Sequence, residues 1–104
     1  IHVAPSVLRY VVSLVAATRA DQSVLVGASP RGSLALVTSA RAIALLDGRS
    51  FVAPEDIKAV AHAALDHRIT LRPELWLSDA SAGAVVDAAL ETTPVPDASD
   101  VQPR

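Results

Sequence analysis

The chain of 104 residues contains no cysteine and no methionine, and it has only one phenylalanine, one tyrosine and one tryptophan. Without cysteine it can form neither a disulfide bond nor a thiolate metal site. Because 51% of the residues are hydrophobic and only 3% are aromatic, the core must be built from alanine, valine and leucine, which favours closely packed helices. The length suits one small domain with a single core.

The chain also lacks a concentration of positive charge. Lys58 is the only lysine, the eight arginines are scattered, and the formal net charge is −2. Nucleic-acid modules normally present a basic stripe, so we expect no nucleic-acid partner. No apolar run approaches the ~18 residues that a membrane span needs, and no signal peptide is visible. We expect a cytoplasmic protein without a membrane span and, since the chain starts at Ile1 and has no methionine, a piece of a longer protein.

Hydrophobic periodicity predicts four helices. The first runs from about Pro5 to about Arg19 and the second from Pro30 to about Leu46, and the third opens at Pro54. The fourth is capped by Ser78 or Asp79 and ends at Pro94 and Pro96. The positions predicted to face the core are Val7, Leu8, Val11, Val12, Leu14, Val15, Thr18, Leu36, Val37, Ala40, Ile43, Ala44, Ile57, Val60, Ala61, Ala64, Leu65, Ala82, Val85, Val86, Ala89 and Leu90.

These segments predict a mainly all-α fold, a small four-helix bundle with at most a minimal two-strand pairing. We place that pairing between residues near Phe51 and residues near Ile69. Residues 1–94 form the domain in this interpretation, and residues 95–104 form a flexible, solvated tail.

The hexapeptide Gly27-Ala28-Ser29-Pro30-Arg31-Gly32 is the most informative element. Ser29 can cap the second helix and Pro30 can be its first residue, because a missing N–H costs nothing there. Arg31 then lies among backbone N–H groups that we expect to be free, at the positive end of the helix dipole. A cation there calls for an anion, and a nucleotide phosphate is the first candidate. The alternative is an ordinary surface arginine after a helix cap.

Several motifs carry a family resemblance in their order and spacing. They are Tyr10-Val11-Val12, Leu14-Val15, Thr18-Arg19, Gly27-Ala28-Ser29-Pro30-Arg31, Asp47-Gly48-Arg49, Val52-Ala53-Pro54-Glu55-Asp56-Ile57 and His67-Arg68-Ile69. From about Val3 to Pro96 the chain resembles the C-terminal lid domain of MoxR-type AAA+ ATPases. It departs from that family at Gly32, where alanine is usual; glycine there costs roughly 1 kcal/mol of helix stability.

The resemblance implies a lid that closes over ATP bound, with Mg²⁺, to a preceding AAA+ core domain. It places the sensor 2 role on Arg31, which would reach the γ-phosphate, with Ser29 and Pro30 beside it at the nucleotide. It also implies assembly into rings with neighbouring subunits, chaperone-like action, and a client protein with a von Willebrand factor A domain. The chain has no Gly-x-x-x-x-Gly-Lys-Ser/Thr loop, so we expect no hydrolysis by the isolated chain. We expect no nucleotide bound to it, or very weak binding at best, because most contacts would come from the core.

Other polar residues have simpler interpretations. Arg19 ends the first helix and is interpreted as a cation answering the helix dipole. Arg49 and Arg68 also lie at helix ends, where we expect them to pair with nearby carboxylates or carbonyls. His62 and Asp66 are four residues apart and are interpreted as a solvated helix pair, since no third metal ligand has a suitable spacing.

His67 has no nucleophile nearby and is interpreted as structural. Trp76 is expected to cover the open end of the core, and the alternative is an exposed anchor for a partner. Two other functions remain open at this point. One is a stand-alone helical interaction module without a nucleotide role. The other is a helix-turn-helix nucleic-acid binder, against which the acidic balance argues.

Overall fold

The computed structural model describes residues 1–102, which form four α-helices, two short strands and three 3₁₀ turns. In chain order these are α1 (Pro5–Ala20), β1 (Val24–Val26), α2 (Pro30–Leu46), α3 (Pro54–Leu65), a 3₁₀ turn (Asp66–Arg68), β2 (Thr70–Leu71), a 3₁₀ turn (Pro73–Leu75), α4 (Ala82–Thr92) and a 3₁₀ turn (Ala98–Asp100). The prediction of a small, mainly α-helical bundle is confirmed.

Proline and side-chain caps account for the helix starts. The first three helices each have proline at their first position, where no backbone donor is needed. The fourth helix is capped by Ser81, whose hydroxyl accepts from the N–H of Ala84 at 3.0 Å. The prediction of Ser78 or Asp79 as this cap is wrong, because the Ser78 hydroxyl donates to the Leu75 carbonyl in the preceding turn.

The core forms where the four helices meet, and the predicted stripes of α3 and α4 face it. On α1, the predicted positions Val7, Val11, Leu14, Val15 and Thr18 are all essentially inaccessible to solvent. The wider apolar face predicted for this helix is wrong. Leu8 is 44% exposed and Val12 is 60% exposed, because both project from the outer side of the bundle.

The two-stranded sheet pairs different segments from those predicted. Strand β1 pairs antiparallel with β2, with Val24 opposite Leu71 and Val26 opposite Thr70. Phe51 instead forms an isolated parallel bridge with His2. The pairing of Phe51 with the Ile69 region is therefore wrong, because the segment before α1 occupies the edge beside Phe51.

The chain after α4 returns to the bundle. Val101 is only 4% exposed, and the hydroxyl of Ser6 on α1 donates to the carbonyl of Asp100 at 3.3 Å. The expectation that the tail is solvated throughout is therefore wrong at Val101. The domain boundary near residue 94 stays a prediction. No helix in the described part of the chain is long and apolar enough to cross a membrane.

Candidate functional site

The first turn of α2 has the predicted cap. The hydroxyl of Ser29 accepts from the N–H of Arg31 at 3.2 Å, and Pro30 is the first helical residue. The N–H groups of Gly32 and Ser33 both donate to the Ser29 carbonyl, at 2.8 and 3.4 Å. The expectation of free amides at this helix start is therefore wrong, because the turn satisfies them itself. An anion here has to be recognised through side chains.

Arg31 lines an open groove of about 470 Å³. The groove is lined by Arg31, Leu34, Ala35, Thr38, Ser39 and Arg68. Arg31 is exposed, and its side chain makes no hydrogen bond or ion pair with another residue in the described range 1–102. The geometry leaves this cation available to a ligand or a neighbouring domain.

The turn that carries Arg31 is fastened to the end of α1. The buried Thr18 hydroxyl donates to the Val15 carbonyl at 2.6 Å and accepts from the N–H of Ala28 at 3.4 Å. The next residue, Arg19, donates from Nη1 to the Ala28 carbonyl at 3.3 Å. Both backbone polar groups of Ala28 are thus held by consecutive residues of α1.

This attachment revises the interpretation of Arg19. Arg19 does lie in the last turn of α1, where a cation suits the dipole, but its guanidinium also positions the segment before Ser29. Gly27 makes the approach possible, since a Cβ there would lie 2.5 Å from Arg19 Cγ. The adjacency of Thr18-Arg19 and the glycine of the hexapeptide were the sequence signals for this contact.

Arg49 and Asp56 join the α2–α3 connection to the start of α3. Arg49 donates from Nη1 and Nη2 to the two carboxylate oxygens of Asp56, each at 2.7 Å, and Asp56 is only 4% exposed. Asp56 also accepts from the N–H of Ala53 at 2.8 Å. The Arg49 hydrogen bonds, aided by Ala53, hold the pKa of Asp56 below its usual value although burial opposes the shift. The predicted pairing of Arg49 with a carboxylate is confirmed.

His62 connects α3 to α4 through two carboxylates. Its Nδ1 lies 3.0 Å from Asp66 Oδ1, as the i,i+4 spacing predicts, and its Nε2 lies 2.7 Å from Asp87 Oδ1. Hydrogen bonds to Asp66 and then Asp87 raise the pKa of His62. Asp87 was missed because it lies 25 residues away in the sequence. Within residues 1–102, no group of three or more His, Asp or Glu side chains is arranged to hold a metal ion.

The two remaining candidates, Arg68 and Trp76, each donate a side-chain hydrogen bond to a backbone carbonyl. Arg68 donates from Nε to the Ala64 carbonyl at 3.1 Å, which confirms the predicted pairing with a carbonyl. Trp76 is 66% exposed and only its Nε1 is anchored, on the Leu71 carbonyl at 3.2 Å. The prediction that Trp76 covers the core is wrong, because the turn at Pro73–Leu75 directs it outward beside the fully exposed Leu77.

Comparison with known proteins agrees with this architecture. The family model described as "AAA lid domain" matches residues 16–89. The chain is 42% identical over 91 residues to the uncharacterized protein YeaC of Bacillus subtilis, covering 88% of this chain and 28% of that protein. It is 40% identical over 109 residues to MoxR of Paracoccus denitrificans, covering 91% of this chain and 32% of that protein.

Two further relatives support the same conclusion. Chaperone MoxR1 of Mycobacterium tuberculosis is 35% identical over 101 residues, with 88% of this chain and 27% of that protein covered. The crystal structure of a candidate ATPase from Cytophaga hutchinsonii superposes with a TM-score of 0.83 at 33% identity, covering 89% of this chain and 31% of that one. The chain spans about a third or less of the length of these relatives.

The family match covers most of the chain, and both helix order and sheet fit a lid. The family match favours a lid domain over a stand-alone interaction module or a helix-turn-helix nucleic-acid binder. The chain therefore belongs to the AAA lid domain family, and within that family it is similar to the lid of MoxR proteins.

Proposed function

We propose that this chain is the lid of a MoxR-like AAA+ ATPase and that Arg31 is its sensor 2 residue. In this role the Arg31 guanidinium contacts the γ-phosphate of ATP held by the preceding core domain. Loss of that phosphate on hydrolysis removes the contact and shifts the lid to a second position against the core. The observation that carries the proposal is the exposed Arg31 side chain, free of partners within residues 1–102, on a helix start that α1 holds in place.

The residues around Arg31 suit phosphate oxygens. A guanidinium offers several donors in a fixed plane, which matches the geometry of a phosphate group. Ser29 and Pro30 shape the turn, and the Ser29 hydroxyl, which accepts from the N–H of Arg31, keeps its own O–H to donate to a phosphate oxygen. The lining of the groove includes no carboxylate from the described residues, so we assign the Mg²⁺ that accompanies ATP to ligands of the core.

The partners follow from the same assignment. The lid packs against the upstream core of its own subunit, and we propose that subunits assemble into a ring in the cytoplasm. Chaperone-like remodelling is proposed as the output, because one relative is named a chaperone. We propose a protein with a von Willebrand factor A domain as the client.

The test is Arg31→Ala in the full-length protein. We expect ATP turnover to fall by about tenfold or more, since the variant removes a charge-assisted contact made to the transferred phosphate. Arg41→Ala, an exposed arginine further along α2, is the matched control and should keep wild-type turnover. The unfolding transition of the 104-residue chain should be unchanged in both variants. Wild-type turnover in the Arg31 variant would rule out the sensor role.

A further inference from the structure

The groove that Arg31 lines is also lined by a second arginine, Arg68, from the 3₁₀ turn after α3. We call this concave surface the two-arginine groove; its lining residues are those given above. Of the described residues that line it, two are arginines and none is acidic. A cleft lined by charge of one sign concentrates ions of the opposite sign. The two-arginine groove therefore has the electrostatics of an anion site.

Arg68 is held at one edge of its guanidinium. Its Nε donates to the Ala64 carbonyl at 3.1 Å, a contact that fixes the position of the guanidinium plane. In the part of the chain that the structure describes, its Nη1 and Nη2 make no further hydrogen bond or ion pair. The side chain is thus partly preorganised, and its outer edge, which carries most of its donors, is available.

Gly32 explains how the two arginines come to share a groove. Gly32 is buried, and a Cβ there would lie 3.1 Å from Leu65 Cδ2 and 3.6 Å from Arg68 Cδ. The missing side chain lets the end of α3 and the Arg68 stem pass close over the first turn of α2. Gly32 therefore marks the place where the Arg68 side chain packs over the first turn of α2.

The first backbone amides of α2 are not available to bind an anion at this site, so side chains must bind it. The amides of Arg31, Gly32 and Ser33 are already engaged with Ser29. An anion in the groove is bound by guanidinium groups, and two of them from different elements can hold one phosphate group from two sides.

We propose that Arg68 is a second phosphate-binding residue of the lid and that the γ-phosphate of the nucleotide lies between Arg31 and Arg68. This inference rests on the proposed function, which supplies the nucleotide. It assigns to Arg68 a contact that a role in helix capping alone would not require.

The test measures binding of AMP-PNP and of ADP to the full-length protein carrying Arg68→Gln. We expect the affinity for AMP-PNP to fall by about tenfold, the usual size of one lost charge-assisted contact, and the affinity for ADP to fall less. Arg68→Lys keeps the charge and should recover part of the loss. Arg41→Gln is the control and should bind both nucleotides as the wild type does.

Several outcomes would overturn the inference. One is wild-type AMP-PNP affinity in Arg68→Gln, and another is an equal loss for AMP-PNP and ADP, which would indicate a structural role. If Arg68→Gln fails to fold, a crystal structure of the wild-type protein with AMP-PNP decides the matter. It should place an Arg68 nitrogen about 3 Å from a phosphate oxygen, and a longer separation overturns the proposal. The Arg31→Ala turnover experiment tests the sensor role separately, so the two failures are distinguishable.

Discussion

Gly27 and Arg19 are so close that no other residue fits at position 27 without displacement. A Cβ on Gly27 would lie 2.5 Å from Arg19 Cγ and 2.7 Å from Arg19 Cα. The second of these atoms belongs to the backbone of α1 and cannot rotate away. The glycine therefore allows the segment that leads to Arg31 to lie directly on the end of α1.

Gly27→Ala should separate the hexapeptide from α1. We expect the free energy of unfolding to fall by about 1–3 kcal/mol, the usual cost of overpacking. Urea unfolding of the chain measures this change. Gly83→Ala is the matched control, because a Cβ there meets neighbours only at 3.6 Å or more, and alanine in α4 should be neutral or stabilising by up to about 1 kcal/mol. Equal effects of the two substitutions would contradict this account of the contact.

Asp56→Asn should remove an acid-sensitive contribution to stability. Near neutral pH the variant should lose about 1–3 kcal/mol, because it weakens the Arg49 contact and the cap on Ala53 together. The folded-state pKa of Asp56 is lowered, so its contribution is present above the unfolded pKa of about 3.9 and is lost as pH falls through the folded value.

The difference between the wild type and Asp56→Asn, measured by urea unfolding, should therefore shrink from pH 6 toward about pH 2. Glu55→Gln is the control, since Glu55 is exposed in the same first turn of α3. A difference that stays constant over this range would show that ionisation of Asp56 does not support the fold.

His62→Gln should lower the stability of the fold in a pH-dependent way, because it removes the imidazole that joins α3 to Asp87 on α4. The folded-state pKa of His62 is raised by Asp66 and Asp87. Its contribution is therefore fully present below the unfolded pKa of about 6.5 and is lost as pH rises through the folded value. Because the site is largely exposed, the contribution is at most about 1 kcal/mol.

We expect the stability difference between the wild type and His62→Gln to decrease from pH 6 to about pH 9, as measured by urea unfolding. Asp87→Asn should reproduce part of this decrease without removing the histidine. A difference that grows with pH would contradict the assigned direction of the pKa shift.

The helices could be predicted from the sequence because their signals are local. Proline at Pro5, Pro30 and Pro54, and apolar periodicity after each, set three helix starts correctly. The cap of α4 was misplaced because Ser78 and Asp79 are as suitable in isolation as Ser81, and only the turn before them decides. Which strands pair was also missed, since it depends on how the segment around His2 packs beside Phe51.

Part of the candidate site was predictable because its sequence signals are also local. The hexapeptide indicates the cap and the exposed Arg31 directly. The contribution of Arg68 to the groove depends on the packing of α3 on α2 across Gly32, a long-range relationship that periodicity does not encode. The contact between His62 and Asp87 could not be predicted either, because these residues are 25 positions apart in the sequence.

The hydrogen bonds that join Thr18 and Arg19 to Ala28 connect the position of Arg31 to that of α1. These two hydrogen bonds oppose a displacement of the segment before α2, because they engage both the N–H and the carbonyl of Ala28. In the proposed sensor role, we expect such a displacement to reach α1, about 24 Å long by its 16 residues. If Arg31 has the proposed sensor role, we expect the bundle to move with this arginine as one body.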